Sequence, residues 1–119
     1  MVEAEWRIEL YRTANGDVPV RTFLDSLEQE RRDEADALIQ LLREQGNQMR
    51  RPQSGVIGGG VFELRGFQIR IAYTFRPGRR AVLLDGVVKK QDSLPHDFVR
   101  RVIAMARALG EAERGRDKK

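Results

Sequence analysis

The sequence predicts an α+β domain in which helices pack on a small, mainly antiparallel sheet. Three observations predict it. Glu5 to Arg12 alternates apolar and polar side chains, two stretches around Val20–Leu27 and Ala35–Leu42 carry helical spacing, and three short alternating segments lie between residues 61 and 90, ahead of a last helical stripe.

In chain order, Trp6, Ile8 and Leu10 face one way and Arg7, Glu9 and Tyr11 the other, the pattern of a half-buried strand. Asn15-Gly16 marks a turn. Asp17 with Pro19 marks a helix start, because proline fits the first turn and Asp can cap free amides. Val20, Phe23, Leu24 and Leu27 then share one helical face. A second helix is expected from about Glu30 to Gln45, with Ala35, Leu38, Ile39 and Leu42 on one face and Gly46 as its stop. The short connection between the two predicts an N-terminal helical hairpin. Asn47 to Gly60 reads as a mobile loop. Strands are expected at 61–65, 67–76 and 80–90, joined by tight turns at Gly66 and Arg76-Pro77-Gly78-Arg79. Pro95 opens a C-terminal helix with Phe98, Val102, Met105 and Leu109 along one side. Gly110 ends that pattern, so residues 1–110 read as a single domain and 111–119 as a polar, flexible tail.

With no Cys and one His among 119 residues, a disulfide framework, a thiolate metal site and a His-based metal site all drop out. No cofactor or metal is expected. The acidic start, Met1 to Trp6, lacks the apolar run of a secretory signal, and no stretch has the length of a membrane span. A cytoplasmic protein without membrane contact is the expectation.

The charge distribution points to a partner. Residues 50–90 hold nine Lys+Arg (Arg50, Arg51, Arg65, Arg70, Arg76, Arg79, Arg80, Lys89, Lys90) against Glu63 and Asp85. The other residues hold 13 cations and 16 acids. A local cationic sheet suits a polyanion such as RNA or DNA. Strand alternation puts Arg65, Arg70 and Lys89 on one face, with Asp85, Leu83 and Val87, while Phe67, Ile69, Ile71, Tyr73 and Phe75 face the core. If helices cover only the apolar face, the cations lie exposed, with Lys90, Arg79 and Arg80 at the rim. The plainer reading is a solvated face in salt bridges. Against it, two carboxylates within the segment do not pair nine cations.

The run Phe62-Glu63-Leu64-Arg65, the Arg70-x-x-Tyr73 pair, and Leu83-Leu84-x-Gly86-x-x-Lys89-Lys90 followed by Pro95 resemble the HigB-like branch of the RelE/ParE toxin superfamily. The upstream Gly16-Asp17-x-Pro19-Val20-x-x-Phe23-Leu24-x-x-Leu27 resembles it too, and the likeness covers roughly residues 5 to 107. It implies a small RelE-like fold and the toxin half of a type II toxin–antitoxin pair. Such toxins are metal-independent endoribonucleases that cut mRNA, commonly on the translating ribosome. A cognate antitoxin, often a helix-turn-helix protein, neutralises them. Many sequences of this branch have His where this chain has Asp85.

Metal-free RNA cleavage needs a base for the 2′-hydroxyl, cations for the phosphorane and an acid for the 5′-oxygen. Arg65 and Arg70 suit the phosphate oxygens, Lys89 suits proton transfer, and Tyr73 joins them through the resemblance. Arg50, Arg51, Arg79, Arg80 and Lys90 are the expected RNA-binding set. Tyr73 also reads as a core aromatic, His96 as a capping or surface residue, and Trp6 as core. A ParE-like action on DNA gyrase, or a non-catalytic nucleic-acid-binding module, are the competing readings.

Overall fold

A computed structural model describes residues 4–91 and 93–117. The expectations for Met1–Glu3 and for the last two lysines lie outside the described residues. The chain begins with strand β1 (Arg7–Leu10), followed by helices α1 (Pro19–Asp25) and α2 (Gln29–Gln45). Strands β2 (Ser54–Gly58), β3 (Val61–Arg65), β4 (Ile69–Arg76) and β5 (Arg80–Val88) come next, and helix α3 (His96–Asp117) closes the fold. The expected α+β class therefore holds, but the helical hairpin is not the N-terminal element: a strand precedes it.

The five strands form one mixed sheet in the order β1-β5-β4-β3-β2. β1 runs parallel to β5, and every other neighbour is antiparallel. A parallel pair needs a long connection rather than a tight turn, and here everything from α1 to β4 lies between its two strands.

Two apolar layers hold the sheet. On one side Val20 and Leu24 of α1 and Ala35, Leu38 and Leu42 of α2 pack on Leu64, Ile69, Ile71, Tyr73, Ala81 and Leu83. On the other, Phe98 and Val102 of α3 pack on Val61, Ala72, Val82 and Leu84. Both faces are thus covered, so the cationic face is not the open one that alternation alone predicts. Among the described residues no helix is long and apolar enough to cross a membrane.

Several local expectations change. Asp17 does not cap α1. Val18 is the N-cap, without a side-chain cap bond, and Pro19 occupies the first turn. Gly46 does stop α2, at φ 51°, and it is needed twice over: a Cβ there would lie 2.0 Å from Trp6 Nε1. The segment read as a mobile loop contains a short 3₁₀ turn (Gly46–Gln48) and β2. β2 escapes sequence reading because Ser-Gly-Val-Ile-Gly has little strand propensity, and the backbone groups of β3 supply its order. Phe67 belongs to the β3–β4 turn rather than to a strand, and it is 85% exposed. In β5 the register shifts opposite Ala72/Tyr73, a bulge at Leu84. Leu83 therefore joins the α1/α2 layer, while Leu84 and Asp85 both turn towards α3.

Gly110 does not end α3, which continues to Asp117. An internal glycine costs about 1 kcal/mol of helix propensity. Glu113 offsets it by reaching Arg76 Nε at 2.7 Å and by pairing with Arg80, which also holds Glu9 at 3.0 Å. The Arg80 hydrogen bonds, then those of Arg76, pull the Glu113 carboxyl from about 4.5 down to about 2, against the opposing effect of burial. A depressed carboxyl stabilises fully above its unfolded value, and that contribution drains as pH falls from about 4.5 towards 2. Glu113→Gln should therefore lower urea stability at neutral pH and flatten the acid limb of the stability curve. Unchanged acid sensitivity in that variant would exclude this network as its source.

Candidate functional site

The row Gly55–Glu63–Ala72–Asp85 crosses four strands on the α3 side of the sheet. Two carboxylates stand on it, separated by Ala72, so about 10 Å apart at normal strand spacing. Both are buried, which forces each to find a cation.

Glu63 finds two. Arg65 Nη2 approaches Oε2 at 3.2 Å, and Arg70 Nε approaches Oε1 at 3.4 Å. Arg65 and Arg70 face one another across the β3–β4 hairpin, as alternation predicts. Their exposures differ, and the difference decides their roles. The Arg70 side chain is 12% exposed, and its Nη1 donates to Gly66 O at 2.7 Å and Ile69 O at 2.8 Å. Its donors are largely spent on the turn. The Arg65 side chain is 35% exposed, and its only protein hydrogen bond among the described residues goes to Glu63. Much of its fork is free.

Gly55 makes room for that fork. A Cβ at Gly55 would sit 2.8 Å from Arg65 Cζ and Nη2. The clash falls on the far end of a flexible side chain, which can swing away. Gly55→Ala should therefore keep the fold but displace the Arg65 guanidinium. A Tm within a few degrees of wild type, together with a clear loss of Arg65-dependent activity, is the expected result.

Asp85 does not orient Arg65 or Arg70. Its Oδ2 accepts from Arg101 Nε at 3.2 Å and Nη2 at 3.1 Å, and its Oδ1 accepts from the Gly86 amide at 2.7 Å. Arg101 comes from α3, 16 residues on, and its guanidinium stands 5.5 Å over the Phe98 ring. Sequence reading missed this cation. The available signal was the Arg100-Arg101 pair one turn after the buried Phe98.

Lys89 continues the pairing of β5, donating its amide to Gln68 O at 2.6 Å. Alternation from Val87, which pairs with Arg70, then carries Lys89 to the Arg70 side. Lys90 is exposed and lines an open hollow of about 480 Å³ at the start of α3, with Pro95 and His96. Arg65, Arg70, Lys89, Lys90 and Arg101 thus gather at one end of the sheet.

The remaining sequence-predicted residues do not join them. Tyr73 faces the opposite layer, 1% exposed, with its hydroxyl 2.8 Å from Ser54 Oγ. Burial raises its pKa above the ordinary value, more than the Ser54 contact lowers it, so it stays protonated. Arg79 and Arg80 sit at the far end of β4–β5, because Arg76 pairs with Arg80 while Ile69 pairs with Val88. That is roughly 20 Å of strand. Arg79 reaches Ala4 O and lies 5.0 Å over Trp6, and Arg80 is held by Glu9 and Glu113. Arg50 and Arg51 lie beside β2 and line a groove with Phe62, Tyr73 and Phe75, aromatic rings of the α1/α2 layer. The nine cations therefore divide among three places. Carboxylates outside the 50–90 segment, Glu9 and Glu113, pair two of them.

The family described as Phage derived protein Gp49-like (DUF891) matches residues 22–110, from α1 through most of α3. The chain belongs to this Gp49-like family. The family is of the RelE/HigB-like toxin type and is associated with toxin–antitoxin toxins. No curated protein matches the chain. The match spans both carboxylate–arginine pairs, Glu63 with Arg65 and Arg70, and Asp85 with Arg101.

Proposed function

We propose that this Gp49-like protein is the toxin of a type II toxin–antitoxin pair and a metal-independent endoribonuclease of HigB-like character. Its substrate is mRNA on the translating ribosome, in the cytoplasm, and a cognate helix-turn-helix antitoxin neutralises it. The observation that carries this reading is the half-free Arg65 fork on Glu63, with Arg101 two strands away on Asp85, within a chain of a toxin-type family.

In this reading Arg65 grips non-bridging oxygens of the scissile phosphate, and its fixed fork favours the trigonal bipyramid over the ground state. Arg101 supplies a second guanidinium, 48% exposed, on the Asp85 side. Arg70 is a positioning residue: it holds Glu63, and Glu63 aims Arg65. The 2′-hydroxyl gives its proton to water as its oxygen attacks phosphorus, forming a 2′,3′-cyclic phosphate while the P–O5′ bond breaks. The 5′-oxygen departs and takes a proton from Lys89, while Lys90 contacts flanking phosphate. Tyr73 is left out of the chemistry because its hydroxyl is buried on the other layer.

Lys89→Ala should lower the single-turnover rate at saturating RNA and change its pH profile. Lys90→Ala should mainly weaken binding and its salt dependence. A reversed pattern would exchange the two roles.

A second reading has its own observation. Asp85 stands where many HigB-like sequences have His, and it is committed to Arg101. This favours a gyrase-directed toxin, which keeps the fold without needing a base there. Inducing the protein in a bacterial host separates the two. Growth arrest with new mRNA 5′ ends supports the nuclease, and arrest with DNA breaks and intact mRNA supports the gyrase reading.

A further inference from the structure

The sheet has a second feature that the cluster at Arg65 does not use. At the β2 edge, on the α1/α2 side, a groove of about 370 Å³ opens between the 3₁₀ turn, the segment around Arg50 and Arg51, and strands β2 to β4. Its floor is aromatic. Phe62 lies 5.5 Å from Phe75 and 5.7 Å from Tyr73, and Tyr73 lies 5.5 Å from Phe75. Its outer wall is Val56, which is 72% exposed. The buried Ser54–Tyr73 hydroxyl pair adds polar capacity at the bottom.

Charge decides what fits. Among the described residues no acidic side chain lines the groove. Arg50 and Arg51 make no ion pair among the described residues, unlike Arg76 and Arg80. Arg50 Nη1 donates to Asn47 O at 3.4 Å and Met49 O at 3.1 Å, yet both side chains are exposed, and an aromatic floor below two exposed guanidinium groups is the chemistry of single-stranded nucleic acid, where bases stack and cations follow the phosphates. Position strengthens this. Gly55 carries the Arg65 guanidinium on one side and lines the groove on the other. β2 is the edge strand, so a chain passing round that edge meets both.

We propose that this groove is a nucleobase subsite: it holds an unpaired base of the same RNA chain whose phosphate meets Arg65. The base stacks on Phe62 and Phe75, the chain bends around the β2 edge, and Arg50 and Arg51 take its phosphates. The inference rests on the RNA-directed reading above and adds a grip on the strand next to the cut. An acidic, apolar protein segment is the other occupant that the test must exclude.

Trp6 supplies the readout. It is the chain's one tryptophan and lies 5.0 Å from Phe75. The full-length protein is titrated with a single-stranded 2′-O-methyl oligoribonucleotide of about ten residues, which resists 2′-oxygen attack. Trp6 fluorescence should change on binding. Val56→Glu places a carboxylate at the exposed wall, and it should weaken binding about tenfold or more while the circular dichroism spectrum is unchanged. Arg50→Ala and Arg51→Ala should each lower the slope of log affinity against log salt by about 0.7. In cleavage these three variants should raise KM and keep kcat. Wild-type affinity and KM in all three would overturn the subsite while leaving the nuclease reading intact. So would a Trp6 signal that an acidic peptide produces and RNA does not. A groove that binds the oligonucleotide as expected, in a protein that cuts no RNA, would support the subsite and reject the nuclease.

Discussion

Changing Arg65 to alanine should reduce RNA cleavage by about a hundredfold or more while leaving the fold in place. The side chain is 35% exposed at the end of β3, and its one carboxylate partner, Glu63, keeps Arg70. Stability should change by less than about 1 kcal/mol, the usual worth of a partly exposed pair. Arg65→Lys separates charge from shape. A lysine restores the charge but not the planar fork, so it should recover binding better than rate. Single-turnover cleavage beside thermal melts checks both parts. Full activity in Arg65→Ala, or an unfolded protein, would remove Arg65 from the proposed role.

Arg70→Ala should behave in the opposite way. This side chain is 12% exposed, it pairs with a carboxylate that is itself 7% exposed, and it ties two carbonyls of the β3–β4 turn. Removing it leaves buried Glu63 with only the partly exposed Arg65 and takes the donor from both turn carbonyls, and the cost is about 3 kcal/mol, or roughly 10 °C in Tm. Alternation alone puts Arg70 on an open face and so predicts that the fold survives its loss. The cover supplied by α3 and the turn reverses that expectation. A double change, Glu63→Leu with Arg70→Met, should regain much of the stability without regaining activity, because it removes both charges together. An Arg70→Ala protein as stable as wild type would contradict the buried-pair account.

The elements with strong periodicity were readable in the sequence. Ala35, Leu38 and Leu42 in α2 and Phe98 and Val102 in α3 bury as their spacing predicts, and Ile8 and Leu10 in β1 are partly buried, as the half-buried pattern predicts. Alternation also put Glu63, Arg65 and Arg70 on one face correctly. Features set by tertiary contact were hidden. β2 exists because β3 offers it a partner. The Leu84 bulge moves Leu83 away from Asp85 without leaving a mark in composition. α3 passes Gly110 because Glu113 meets Arg76 and Arg80 from strands far back in the sequence. The same limit misled the charge count. A window from 50 to 90 cannot include Glu9 and Glu113, which neutralise one end of the sheet, nor Arg101, which completes the other.

The most direct test of the central claim is to map mRNA 5′ ends by primer extension in a cell-free translation reaction containing the protein, with Arg65→Ala and Glu113→Gln as paired controls. New, discrete ends within translated frames are expected for the wild type and for Glu113→Gln, and none for Arg65→Ala. Intact mRNA with the wild type, or the same ends with Arg65→Ala, would contradict it.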